Sequence, residues 1–169
     1  MDHKIDNTIG FKNRLVSYYK SHRLKINSLL LIFLIIFISI YFFILDAKKK
    51  NILISEKYVQ AGLYLADKKE KNAKDLYVEI ILSENKFYSI LALNTIIENK
   101  LVDEDEKIIK YFKIVENLKL SNDQKDLLTF KKALYLIKIM KKKEGEVLLK
   151  KIVDKNSKLK ILAKEILDK

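Results

Sequence analysis

The sequence predicts an all-α protein, with one N-terminal membrane-spanning helix followed by about three helical hairpins and a capping helix. Three observations carry that expectation. An 18-residue run from Ser28 to Leu45 holds no charge. The chain has no proline and three glycines in 169 residues, so stretches of Leu, Ile, Lys and Glu continue without a helix breaker. Beyond the run, apolar residues recur three and four positions apart, the period of a buried helix face.

The uncharged run reads SLLLIFLIIFISIYFFIL, and Ile26 with Asn27 extends it to 20 residues. At a helical rise that is about 30 Å, the thickness of a hydrocarbon core. Ser28 and Ser39 are its only hydroxyl-bearing aliphatic residues, and a helix satisfies them on its own backbone. Tyr41, Phe42 and Phe43 mark one end, and Tyr18 and Tyr19 precede the other, where interfacial aromatics belong. A cleaved signal peptide fits less well. The leading region is 27 residues long, and Leu45-Asp46-Ala47 puts leucine where a cleavage site needs a small residue. The expectation is an uncleaved anchor, with a basic tail at 1–27, a transmembrane helix at 28–46 and a domain at 47–169.

Orientation follows from the flanks. Lys12, Arg14, Lys20, Arg23 and Lys25 precede the span; Lys48, Lys49, Lys50 and Lys57 follow it. Five against four is almost a tie under the positive-inside rule, but a long domain translocates despite its charge. The tail is therefore expected in the cytoplasm and the domain outside. Residues 10–25 pattern as a short amphipathic helix. Phe11, Leu15, Tyr18 and Tyr19 would meet the bilayer, with Lys12, Lys20, Arg23 and Lys25 at the lipid headgroups.

The formal charge of +12 divides into +4 for the tail, −1 for the span and +9 for the domain. It comes from 32 lysines and two arginines, Arg14 and Arg23. Nucleic-acid sites favour the bidentate guanidinium, so no nucleic-acid partner is expected. Zero cysteines exclude a disulfide scaffold, a thiolate nucleophile and a cysteine-based metal site. His3 and His22 are the only histidines and lie before the span, which excludes histidine chemistry in the domain. The carboxylates from Asp103 to Glu106 lack the glycine and distal glutamate of a calcium loop and read as a solvated turn. Ser17 with Lys20, and Ser157 with Lys160, form Ser-x-x-Lys strings of the kind chance supplies in a lysine-rich chain. No nucleophile, base and orienting group can be assembled, so the protein is expected to be non-catalytic, without cofactor or metal.

Within the domain, spacing and caps place helices near 51–66, 73–83, 86–99, 104–118, 122–142, 144–154 and 157–168. Ser121 with Gln124 forms a capping box, Asp103 with Glu106 resembles one, and Asn72 is a candidate cap. A repeat then emerges. Ala61, Ala73, Tyr77 and Ile80 are spaced 12, 4 and 3, as are Ala133, Gly145, Leu149 and Ile152. Ile108, Phe112 and Val115 repeat the last two intervals. Small residues 12 apart are what two antiparallel helices need where their backbones approach.

At these residues the chain resembles tetratricopeptide repeats, and Tyr88, Leu91, Ala92 and Thr95 fit the first-helix pattern of that family. The middle pair carries four extra residues around Val102 to Glu106, and the customary proline is missing throughout. The order of basic tail, single span and degenerate repeat domain also resembles the YfgM-like ancillary subunit of the bacterial Sec translocon. That likeness is best from Asn85 to Lys169. It implies a bacterial inner-membrane protein with a periplasmic domain, associated with the translocon and with a membrane-anchored periplasmic chaperone. Membrane lipids and a second copy of the chain are further expected partners.

Repeat arrays bind through the concave face lined by first helices. Here that face should offer Tyr58, Gly62, Leu65, Tyr88, Leu91, Phe130, Leu134 and Ile137, a set suited to an apolar or helical peptide. The same residues would serve equally well as core. Two functions compete: an interaction subunit assisting protein export, and an envelope scaffold that oligomerises and has no link to export.

Overall fold

The computed structural model describes residues 3–168; the side chains of 3–9, Phe11, Lys12, Leu15 and Ile26 lie outside the description. The lipid contacts expected at Phe11 and Leu15 therefore fall outside the described residues. Among the described residues the only regular structure is helix: α1 (His3–Ala66), α2 (Glu70–Leu82), α3 (Tyr88–Glu98), α4 (Asp105–Glu116), α5 (Asn122–Lys138), α6 (Lys142–Asp154) and α7 (Lys160–Leu167). The chain divides into two compact units, 1–49 and 50–169.

The first unit is helical and contains one segment apolar enough to cross a membrane by length and composition. Its best 18-residue window has a mean hydropathy of 3.0, and none of it is buried. A core helix of a globular protein would be covered, whereas this surface is open along its length. Ser28 Oγ donates to the Lys25 carbonyl at 2.9 Å and Ser39 Oγ to the Ile35 carbonyl at 2.8 Å, as expected for hydroxyls in an apolar helix.

The second unit runs from the last turns of α1 to α7. Each helix from α2 onward packs on the next, and α2 also touches α4. Two apolar clusters result. The larger joins Ala61, Ala73, Tyr77, Ile80, Ala92, Ile96, Ile108, Phe112 and Val115. The smaller joins Ala133, Leu149, Ile152 and Ala163. Helix α5 serves both: Leu128 and Tyr135 belong to the larger, Ala133 to the smaller. The residues of the 12-4-3 spacing are all buried. A Cβ on Gly145 would lie 2.6 Å from Ile137 Cγ1 and 2.7 Å from the Ala133 carbonyl oxygen. That glycine lets α6 approach the backbone of α5.

Five helix ends share a left-handed residue. Among the described residues Lys68, Glu84, Lys100, Met140 and Asn156 have φ between 51° and 65°, each two positions beyond a helix. After α1, α3, α5 and α6 the next amide reaches back five residues, as in Lys141 to the Leu136 carbonyl at 2.9 Å. This closes each of these four helices with a Schellman motif.

Starts are more varied. The capping box of Ser121 and Gln124 is present with both bonds. The other two expected caps are corrected. Asn72 lies inside α2, whose cap position is Lys69, and Glu104 rather than Asp103 precedes α4; neither makes a side-chain cap bond. Instead, Asn85 Oδ1 accepts from the Phe87 and Tyr88 amides at 3.1 and 3.0 Å and opens α3. Buried Ser89 donates to the Ile80 carbonyl at 3.0 Å, satisfying the end of α2 from the first turn of α3.

Candidate functional site

The residues expected to line a groove separate by burial. Tyr58 stands T-shaped on Tyr77 and tilted on Tyr88, with both ring centroids at 5.6 Å. The Tyr58 and Thr95 hydroxyl oxygens are 3.4 Å apart, and Tyr88 donates to Ser55 at 2.8 Å. Leu65 is half-buried against the larger cluster, and Phe130 and Ile137 pack on the smaller. Gly62 and Leu91 are half-buried; Leu134 is exposed, at 37%.

Leu134 opens onto a cleft between α3 and α5. Asn94, Ile97 and Glu98 form one wall, and Lys131, Leu134, Tyr135 and Lys138 the other, around a volume of about 200 Å³. A second hollow of about 200 Å³ shares Ile97, Tyr135 and Lys138 and continues to Val102, Asp105 and Ile108. The floor is apolar and the rim charged. Lys131 approaches Glu98 at 4.0 Å across the cleft. On another side of α5, Lys132 grips both oxygens of Glu116 at 2.8 and 2.9 Å, fixing α5 to the end of α4.

Tyr135 joins the two hollows. Its hydroxyl donates to Asp105 Oδ1 at 2.6 Å. Burial first, and then the Asp105 hydrogen bond and charge, raise the phenol far above its ordinary value, so it stays a protonated donor. Outside the cleft, exposed Glu104 is lowered and Lys107 raised, each chiefly by its hydrogen bond to the other, at 2.6 Å. Among the described residues no three His, Cys, Asp or Glu side chains gather as metal ligands. The arrangement suits apolar side chains of a peptide whose polar groups meet Lys and Glu on the rim.

Sequence reasoning found Leu134 but missed Asn94, Ile97, Asp105 and Tyr135. Asp105 sat in a carboxylate run read as solvated loop, and its partner lies 30 residues away. Tyr135 is directly beside Leu134 and was available to a reading of α5 by face.

Before the span, Tyr18, Tyr19, Arg23 and Lys25, expected at lipid, are all exposed. Comparison with known proteins found no matching family model, no matching curated protein and no matching solved structure.

Proposed function

We propose that this is a non-catalytic, single-pass membrane protein whose helical domain binds export machinery. In this reading the tail is cytoplasmic, the domain periplasmic, and the partners are the Sec translocon and a membrane-anchored periplasmic chaperone. The observation that carries the anchor is the unburied apolar window with a mean hydropathy of 3.0. The partner assignment rests on the likeness of layout and repeat residues to the YfgM-like family. The domain is read as a tetratricopeptide-like solenoid; the close approach at Gly145 and the buried Ala61, Ala73, Ala92 and Ala133 support that register. The binding surface centres on Leu134 in the α3–α5 cleft, with the half-buried aromatics shaping the domain around it.

Affinity purification of the full chain in mild detergent tests this reading. The expected co-purifying proteins are translocon subunits and a membrane-anchored chaperone. Recovery of the chain with itself alone would favour the scaffold reading. One observation supports that second reading: Ile161 and Leu162 of α7 are 80% and 47% exposed at the end of the array, an apolar surface a second copy could cover.

A further inference from the structure

Helix α1 breaks at His22, where φ and ψ are −118° and 18°. There is no proline or glycine at the break, and the His22 side chain engages the turn before it. His22 Nδ1 lies 3.3 Å from the Tyr18 carbonyl, the acceptor that the His22 amide would use in an unbroken helix. A carbonyl only accepts, so Nδ1 is the donor. The Tyr18 ring stacks on the imidazole with centroids 4.7 Å apart. The Tyr19 hydroxyl donates to Asn27 Oδ1 at 3.2 Å and spans the break. The kink is thus braced on both sides of His22.

A hollow of about 230 Å³ opens there, lined by Lys20, Ser21, His22, Arg23, Leu24 and Lys25. The sequence has no carboxylate between Asp6 and Asp46, so no acidic neighbour along this stretch offsets the three cations. Lys25 and Arg23 precede Ser28 by three and five residues, about 4.5 and 7.5 Å of helix. With the apolar run in the hydrocarbon, both fall within the headgroup layer, roughly 5–8 Å deep on each side.

We propose that this hollow binds the phosphate of an anionic phospholipid, with Arg23 as the forked donor, Lys20 and Lys25 as point charges and the Ser21 hydroxyl as a further donor. The proposal rests on the reading of 28–46 as a membrane span. A lipid fits better than a free anion because Leu24 lines the same hollow and is 79% exposed. A phosphate alone leaves that side chain in water; a glycerolipid covers it.

Native mass spectrometry of the full chain in detergent, with phosphatidylglycerol, phosphatidylcholine or inorganic phosphate added, tests the site. Wild type retains phosphatidylglycerol preferentially, and inorganic phosphate does not displace it. The pair Arg23→Gln and Lys25→Gln weakens retention about thirtyfold. The matched pair Lys48→Gln and Lys49→Gln on the other flank changes it less than about threefold, the size of a general charge effect. Tyr19→Phe keeps every charge, loosens the brace and weakens retention several-fold. Equal losses in the two pairs, unchanged retention in Tyr19→Phe, or displacement by inorganic phosphate would each overturn the site. Alkaline extraction separates the two levels. Release of wild type from membranes overturns both anchor and site, whereas failed lipid retention in an extraction-resistant chain overturns the site alone.

Discussion

The Tyr135 hydroxyl and the Asp105 carboxylate meet at 2.6 Å and fasten α5 to the first turn of α4. The contact lies where the two hollows of the α3–α5 cleft join. It fixes the width of the surface proposed to bind a partner, and it ties stability to the protonation of one phenol.

Tyr135→Phe removes that bond while keeping the ring. Asp105 is exposed and regains water, so the expected loss is about 1–2 kcal/mol near neutral pH, read from the melting temperature of the full chain in detergent. The folded phenol is raised above its unfolded value of about 10. Its contribution is therefore complete below about pH 10 and is lost as pH climbs above it. The gap between wild type and variant should narrow in that alkaline range. Tyr77, raised by burial and by Tyr58, is present in both chains and keeps some alkaline loss in each.

Gly145→Ala sets two effects against each other. Alanine gains about 1 kcal/mol of helix propensity. Its Cβ also meets the Ala133 carbonyl oxygen at 2.7 Å and Ile137 at 2.6 Å, and the backbone oxygen has no rotamer to retreat into. Overpacking should win, with a net destabilisation of about 1–3 kcal/mol. An unchanged melting temperature would argue against this close approach.

Met140→Gly should stabilise. Met140 has φ of 65° and is 91% exposed, so glycine relieves a left-handed conformation with almost no packing to lose. The expected gain is about 1 kcal/mol. Destabilisation would mean that Lys141 does not close α5 as described.

Orientation is open to labelling because the chain has no cysteine. In spheroplasts an impermeant maleimide should label Lys143→Cys and leave Asn13→Cys unlabelled until the membrane is permeabilised. The reverse pattern would put the domain in the cytoplasm.

The parts of the fold legible in sequence were those carried by local spacing. The six helices α2–α7, the capping box at Ser121 and the buried small residues at Ala73, Ala133 and Gly145 follow from intervals of three, four and twelve, whereas the helix expected near 51–66 is the end of α1. Helix ends were less legible. Lys68, Glu84, Lys100 and Met140 adopt the conformation for which glycine is the usual marker, so α5 was expected to reach 142 and instead stops at Lys138. The start of α2 was expected at 73 because Asn72 looked like a cap; the helix begins three residues earlier, at Glu70. The cleft was the least legible feature. Its walls come from α3, the loop after it, the first turn of α4 and α5, and no local pattern reports a contact such as Tyr135 with Asp105. Face periodicity alone also did not separate Leu134 from Tyr58 and Phe130, which are half-buried in the two clusters.

Photo-crosslinking from Leu134 tests the central claim most directly. A photoreactive residue at Leu134 in the full chain, activated in living cells, should form adducts with a translocon subunit or a membrane-anchored chaperone. The same residue at Val147, exposed on α6 and outside the cleft, should form far fewer. Adducts of the chain with itself alone, or equal yields from the two positions, would contradict an export-linked binding surface in the α3–α5 cleft.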